Sequence, residues 1–236
     1  MLMSAIRNGL SFTEIILYLI SSLAVIFITM PIHEFAHGFV AHKLGDPTPK
    51  WEGRLTLNPL AHIDYLGSAA ILLFGIGWAK PVGVNPRFFK NSKKGMAIVA
   101  AAGPIANVLL AFVFLLLSNL ILTLYGFFAS PMTSYVTVGY RILMYVRMFF
   151  GYVADISVYL AVFNLIPIPP FDGSRILFAF LPEKYYFKMM QYERYIFIAL
   201  LALIYVGVLD APISLLANAV NALISFLARL PFSLFI

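Results

Sequence analysis

Two histidines and a glutamate form the pattern His-Glu-x-x-His at His33, Glu34 and His37. On a helix, this spacing places the two imidazoles one turn apart on the same face. Neutral imidazoles in that arrangement can bind one zinc ion, and the glutamate between them can take the proton of a zinc-bound water. The pattern therefore predicts part of a metal site with a general base beside it.

The pattern supplies two ligands, whereas a catalytic zinc usually has three protein ligands and a water. The chain has no cysteine, so disulfides and thiolate ligands are excluded and the third ligand must be a histidine or a carboxylate. The side chains that could supply it are His42, His62, Asp64, Asp155, Asp172 and Asp210.

The segments that carry these residues are apolar enough to lie in a membrane. The chain is 62% hydrophobic and 11% charged, with a mean hydropathy of +0.93, far from the composition of soluble proteins. A span takes about 20 apolar residues, and candidate spans lie at 12–32, 95–125, 146–166, 195–211 and 212–230. A further apolar stretch, 66–78, is too short to cross.

We therefore predict an all-α polytopic membrane protein with about five to six transmembrane helices and a short re-entrant β-like element near 66–85. The whole chain, 1–236, is expected to form one membrane domain. Its catalytic core would cover about 12–180, and its C-terminal helices about 190–230.

The cations indicate how the chain is oriented. The net charge is +6, but the cations sit in short loops between apolar segments, which is typical of topology determinants rather than of nucleic-acid binding. With five spans, 13 of the 16 cations, Arg229 among them, fall on one face. Arg7, Arg141 and Arg147 remain on the other. This asymmetry predicts a plasma-membrane protein with its N-terminus outside, its C-terminus in the cytoplasm and its active site toward the cytoplasmic side.

Asp172 is the third-ligand candidate that this topology favours, because it lies at the same membrane depth as the His-Glu pattern. It follows Pro167, Pro169 and Pro170, which break the helix and free backbone carbonyls. Irregular backbone at membrane depth is tolerated only where protein or a water-filled cavity covers it. A broken helix that carries a carboxylate is therefore a predicted functional site.

The pattern at 33–37, followed by Asn164-x-x-Pro167 and Asp172-Gly173, resembles the site-2 protease family of intramembrane zinc metalloproteases. The likeness runs from about residue 20 to 180. The chain is similar to the minimal bacterial and archaeal members of that family, which have no PDZ or CBS domains. The other matching stretches are Gly-Asp-Pro-Thr at 45–48, Leu-Asn-Pro-Leu-Ala-His-Ile-Asp at 57–64, Gly-Trp-Ala-Lys-Pro-Val at 77–82 and Gly-Pro-Ile-Ala-Asn at 103–107.

The resemblance implies that His33, His37 and Asp172 bind one zinc ion per chain and that Glu34 is the general base. Asn164 would help to stabilise the oxyanion or would cap freed backbone groups.

Two further sets of residues have weaker expected roles. Phe74, Gly75 and Gly77 belong to the stretch expected to hold extended substrate by strand addition. His62 and Asp64 follow an Asn-Pro turn, and a role in that turn or in supporting the ligands is favoured over ligation.

The predicted function is an intramembrane endopeptidase that hydrolyses peptide bonds within or next to transmembrane segments. Its expected partners are single-span membrane proteins and the lipid bilayer, with no nucleic acid; the sequence does not indicate an oligomeric state. The alternatives are a catalytically silent zinc-binding homologue and a polytopic transporter. Neither predicts a glutamate between the two histidines.

Overall fold

The computed structural model describes residues 9, 11–74, 77–128, 138–182 and 191–233. Within these residues all regular structure is helical and no strand occurs. Four helical segments are long and apolar enough to cross a membrane: Phe12–Lys43, Ser92–Gly126, Val138–Asn164 and Asp210–Phe232. The chain is a multi-pass membrane protein.

The α-helices are α1 (Phe12–Ala24), α2 (Met30–Lys43), α3 (Thr48–Trp51), α4 (Tyr65–Phe74), α5 (Ser92–Phe128), α6 (Val138–Asn164), α7 (Asp172–Phe178), α8 (Glu193–Tyr205) and α9 (Asp210–Arg229). A π-helical segment, Val25–Thr29, joins α1 to α2, so the two form one continuous rod. Ser11 and Glu14 make a capping box at the start of α1.

The π-helical segment comes just before Pro31, in the first turn of α2. Proline has no N–H and its ring clashes with the carbonyl four residues earlier, which a regular α-helix cannot accommodate. A wider turn just before it relieves that clash, and such π segments often occur near functional sites. Here it precedes the His-Glu pattern by one turn.

The α1–α2 rod and α6 run parallel. Ser21 donates a hydrogen bond to the carbonyl of Phe149, and the Thr29 and Ser157 hydroxyls lie 3.1 Å apart. Both pairs are separated by 128 residues, so the register is constant along the contact. The His-Glu pattern therefore reaches the same depth as the C-terminal end of α6.

Helices α5 and α9 run antiparallel to α6. Phe114 stacks on Phe150, and Tyr125 lies against Tyr140, which brings the end of α5 next to the start of α6. Near the end of α9, the carbonyl of Ala228 accepts a hydrogen bond from the Asn119 amide. Arg229 consequently lies beside Arg147. The sequence predicted that Arg229 lies on the opposite face, with the loop cations, because 195–211 and 212–230 were both counted as spans.

The predicted count of five to six spans is not confirmed. Helix α8 has 13 residues and is not among the candidate spans, although its sequence is uninterrupted by charge after Arg194. The β-like character of 66–85 is not confirmed either. In the described part of that region, α4 is followed at 77–85 by chain without regular secondary structure.

Candidate metal centre

Three potential metal ligands meet where α2, α5 and α7 pack together. The Nε2 atoms of His33 and His37 lie 3.0 Å apart, and each is 3.2 Å from Oδ2 of Asp172. Both histidines are buried. The sequence-predicted ligand set is therefore brought together as one cluster of donor atoms.

The donor set fits zinc. Two imidazole nitrogens and a carboxylate oxygen are ligands that zinc prefers, and in a tetrahedral site with bonds near 2.1 Å neighbouring donors are separated by about 3.4 Å. The separations of 3.0 to 3.2 Å are close to that value. Three donors leave a fourth position for water or substrate, as in catalytic zinc sites.

The orientation of His37 is fixed from its other side. Its Nδ1 lies 2.8 Å from the carbonyl oxygen of Val99, in α5. Because a carbonyl only accepts, Nδ1 carries a hydrogen, so Nε2, which faces Asp172, is the nitrogen that could give a lone pair to a metal once it has lost its own proton. Such a bond fixes the imidazole tautomer and ring position that a metal ligand requires.

Asp172 is placed by the break between α6 and α7. Phe171 is the N-cap of α7, so the carboxylate sits in the first turn of that helix, where the helix dipole favours negative charge. The next residue, Gly173, packs against the backbone of Leu165 and Ile166 so closely that no Cβ fits there. The Asp-Gly pair thus allows the chain to fold back onto the end of α6.

Burial alone would raise the pKa of the Asp172 carboxyl. The charge of His37 and the hydrogen bonds from His33 and His37 outweigh burial and hold this pKa below its usual range. The carboxylate is therefore the ionised form, which is the form that binds a metal.

Gly103, in α5, packs directly on the two histidines. A Cβ built there would lie 2.6 Å from Nε2 of His33 and would also collide with the ring of His37. The structure shows that the packing partners are the imidazoles themselves, a contact across 66 to 70 positions that no local pattern reveals.

Glu34 lies in the same cavity as the three donors. The cavity has a volume of about 650 Å³, and its walls include His33, His37 and Asp172. One carboxylate oxygen of Glu34 accepts a hydrogen bond from the backbone N–H of Val82, at 3.1 Å. The arrangement places a carboxyl group that could act as a base in the cavity that the three donors line.

The extended segment 77–85 forms one wall of this cavity. Its backbone is held at four points: Lys80 N–H donates to the carbonyl of His62, Val82 to Glu34, Gly83 to Glu52 and Asn85 to Asp46. Asp46 is fully buried and also accepts from the N–H of Thr48. Side-chain carboxylates thus take the positions that a neighbouring strand would occupy.

Among the predicted substrate-contacting residues, Gly77 lines the cavity and packs against the backbone of Gly67 in α4. Gly75 and the side chain of Phe74 lie outside the part of the chain that the structure describes. Trp78 lines the same wall and makes an edge-to-face contact with Phe197 of α8. Helix α8, for which the sequence suggested no role, therefore reaches the site.

Two asparagines line the cavity. Asn164 donates from Nδ2 to the carbonyl of Leu160, one turn back, so its amide caps the broken end of α6 as one interpretation of the sequence expected. Asn107 is 1% exposed, and its Oδ1 has no hydrogen-bond partner among the described residues. It belongs to the quoted Gly-Pro-Ile-Ala-Asn stretch, but its position in the site was not predicted.

His62 and Asp64 lie outside the cluster of metal donors. His62 is buried, with Nε2 2.9 Å from the carbonyl of Thr56, and Asp64 accepts from the N–H of Gly67 at the start of α4. Both bonds are local. They shape the loop that leads to α4.

A helix bearing His-Glu-x-x-His, completed by a carboxylate and set in a bundle of apolar helices, defines a membrane-embedded zinc metalloprotease. The model of peptidase family M50 matches residues 21–206. The chain belongs to that family, as the resemblance to site-2 proteases implied.

Curated relatives are similar over most of the chain. A Bacillus subtilis protein named "Putative zinc metalloprotease YwhC" is 40% identical over 186 residues, 79% of each chain. "Putative zinc metalloprotease MJ0611" of Methanocaldococcus jannaschii is 33% identical over 165 residues, 69% of this chain and 71% of its own. "Putative zinc metalloprotease Rip2" of Mycolicibacterium smegmatis is 33% identical over 148 residues, 60% of this chain and 50% of its own. No solved structure matches significantly.

Proposed function

We propose that this metalloprotease is an intramembrane endopeptidase that cleaves peptide bonds within or next to transmembrane segments. The observation that carries the proposal is the position of the donor cluster, at the ends of apolar helices and inside a cavity lined by the same helices. A protease for soluble peptides does not require a site within the membrane. A substrate that is itself a membrane helix requires a site at that location.

His33, His37 and Asp172 would hold one zinc ion per chain. Bound zinc supplies a water with a pKa near 7 and a positive charge beside the developing oxyanion. Glu34, held by the N–H of Val82 at one oxygen, has its other oxygen available to take the proton of the attacking water. It would then pass that proton to the leaving amine.

Asn107 is the better candidate for the group that binds the oxyanion. Its side chain is buried, lines the cavity and makes no hydrogen bond to any residue that the structure describes. Asn164 lines the same cavity but already uses one N–H to cap α6. We propose that Asn107 donates to the oxyanion and that Asn164 contributes its second N–H.

The segment 77–85 would hold the substrate in extended form. A transmembrane helix hides its carbonyls in its own hydrogen bonds, so it must unwind before attack. In the described part of the chain no hydrogen bond ends on the carbonyls of 79–84. These carbonyls can accept from an added strand, with Gly77 near the start of the binding edge. We propose that α4 and this segment form the re-entrant element.

We propose a plasma-membrane location with the metal centre toward the cytoplasm and the N-terminus outside. Moving Arg229 to the face of Arg147 leaves 12 of the 16 cations on the metal-centre face, so the charge asymmetry persists. With four spans, the end of α9 lies outside as well, in place of the cytoplasmic C-terminus expected from five. The chain would form a single membrane domain, with single-span proteins as substrates.

The Glu34→Gln variant tests this proposal. Glutamine is close in size and cannot accept a proton, so zinc content should stay at about one per chain while proteolysis falls about 10²- to 10⁴-fold. Membrane proteomics of cells with the active or the Glu34→Gln protein should then reveal single-span proteins retained by the inactive form. Full cleavage by Glu34→Gln would overturn the mechanism, and retention of soluble proteins alone would overturn the substrate class.

A further inference from the structure

A second polar cavity lies between α5, α6 and α9, far from the metal donors. It has a volume of about 230 Å³, and two arginines, Arg147 and Arg229, lie in its wall. At 1.5 Å per residue, Arg147 is about 25 Å along α6 from Asn164. The cavity therefore belongs to the opposite end of the bundle, and the proposed mechanism does not use it.

The guanidinium of Arg147 has no ion-pair partner in the described part of the chain. The residue is half-buried, and its Nε is buried without a hydrogen-bond partner among the described residues. The ion pairs in that part of the chain are both made by Asp172, so neither Arg147 nor Arg229 is paired there with a carboxylate. A partly buried cation among apolar helices is costly without a partner of opposite charge.

The charges that face this cavity favour an anion. Asp155 is the one acidic residue in its wall, against two arginines, which leaves one net positive charge. Asp155 also lies two turns further along α6 than Arg147, about 12 Å by helical rise. Ser225, one turn before Arg229 in α9, adds a hydroxyl donor to the wall.

The membrane depth indicates the source of the anion. Arg229 lies three residues before the end of the candidate span Asp210–Phe232, where lipid headgroups are found, and Arg147 lies nine residues into the span Val138–Asn164. Basic pockets between transmembrane helices are suited to such headgroups. Phe226, the neighbour of Ser225 in α9, is 63% exposed and offers an apolar surface for an acyl chain. A volume near 230 Å³ admits a phosphate with a small headgroup.

We propose that this cavity binds the phosphate of an anionic phospholipid, with Arg147 and Arg229 as the recognising residues. Two guanidinium groups match the oxygens of one phosphate, and arginine binds phosphate in a bidentate manner. The Asn119 amide, by bonding the carbonyl of Ala228, fixes α9 at the height that brings Arg229 to the cavity. The bound lipid would tie α9 to α5 and α6.

The test uses the full chain, purified and placed in nanodiscs of phosphatidylcholine with phosphatidylglycerol. Native mass spectrometry should show preferential retention of phosphatidylglycerol by the wild type. Arg147→Gln and Arg229→Gln should each weaken that retention about fivefold, as expected for loss of one cation near the membrane surface. Arg147→Lys keeps the charge but not the planar guanidinium group, so its retention of phosphatidylglycerol should lie between those of the wild type and Arg147→Gln.

Arg141→Gln is the matched control, because Arg141 is an exposed cation of the same helix outside the cavity wall. It should retain phosphatidylglycerol like the wild type. If Arg147→Gln and Arg229→Gln both retain as much phosphatidylglycerol as the wild type, the proposal is overturned. If free inorganic phosphate raises the unfolding temperature as much as phosphatidylglycerol does, the lipid is the wrong source. If Arg147→Gln fails to fold, Arg229→Gln still tests the proposal, because Arg229 is exposed.

Discussion

One carboxylate oxygen of Glu34 accepts a hydrogen bond from the backbone N–H of Val82, at 3.1 Å. The bond connects the proposed base on α2 with the extended segment that lines the cavity. It also leaves the other carboxylate oxygen without a hydrogen bond in the described part of the chain. The segment proposed to hold substrate therefore also positions the group proposed to activate water.

Val82→Pro should separate that positioning from metal binding. Proline has no N–H, and it follows Pro81, whose extended conformation already suits a proline at the next position. Loss of a hydrogen bond to a charged group corresponds to a fall in kcat of roughly 10- to 100-fold. Zinc content should not change. Cleavage of a model single-span substrate in nanodiscs, together with zinc analysis, measures both.

Val84→Pro is the control for Val82→Pro. Val84 lies in the same wall, and its N–H makes no hydrogen bond among the described residues. It should keep kcat within a few-fold of the wild type. Equal losses in the two variants would mean that the shape of the segment matters and that the bond to Glu34 does not.

Gly103→Ala should weaken zinc binding. A methyl group at this position would occupy space taken by the imidazoles of His33 and His37, so at least one ring must turn away from Asp172. Displacing a ligand in this way should cost about 10- to 100-fold in zinc affinity. Competition with a fluorescent zinc chelator provides the measurement.

Gly126→Ala, in the same helix with open space around its Cβ, is the matched control for Gly103→Ala. Alanine favours helix by about 1 kcal/mol over glycine, so Gly126→Ala should be neutral or stabilising. Zinc affinity in Gly103→Ala as high as in Gly126→Ala would show that the rings can relax, and would remove the constraint argued for Gly103.

The grouping of the three candidate ligands was predictable because each has a local sequence signal. His33 and His37 follow from a four-residue spacing, and Asp172 from the proline-broken helix at the same depth. The contacts of Val99 and Gly103 with those histidines were not predictable. They depend on how α5 packs across α2, and the uncharged apolar part of α5, from Gly95 onward, gives no signal of which residues will contact the candidate site.

The span count and the strand differ from expectation for physical reasons. An apolar run at 195–211 is compatible with a span, but the helix stops at Tyr205, before Gly207, which has a positive φ. At 77–85 the chain is extended without a ladder, because Glu34, Glu52 and Asp46 bind its N–H groups. Hydrophobic periodicity does not distinguish such a segment from a strand.

Asp46→Asn should loosen the extended segment and destabilise the fold. Asp46 is fully buried and accepts from the N–H groups of Thr48 and Asn85, at 2.9 and 2.7 Å. Asparagine can replace only one of these acceptors and turns an N–H group toward the other, a cost of about 1–3 kcal/mol. The free energy of unfolding, measured by chemical unfolding in detergent, should fall. The KM for a single-span substrate should rise as the segment loosens.

Glu52→Gln is the matched comparison for Asp46→Asn. Glu52 is exposed, and its hydrogen bond from Gly83 N–H can be kept by the glutamine oxygen. The change in stability should stay within about 0.5 kcal/mol. A loss as large as that of Asp46→Asn would mean that charge, and not buried hydrogen bonding, holds the segment.

Asp172→Asn should abolish tight zinc binding while Asp155→Asn leaves it intact. Asparagine has nearly the size of aspartate but is a neutral, poor zinc ligand, so affinity should fall by more than about 100-fold. Asp155 is a carboxylate of the membrane-spanning helix α6 that lies outside the donor cluster, which makes it the natural control. Zinc retained after dialysis, measured by mass spectrometry and compared with helicity by circular dichroism, distinguishes loss of the metal from loss of the fold. Zinc retained by a folded Asp172→Asn protein would mean that another group completes the site, and the proposed ligand set would then be incorrect.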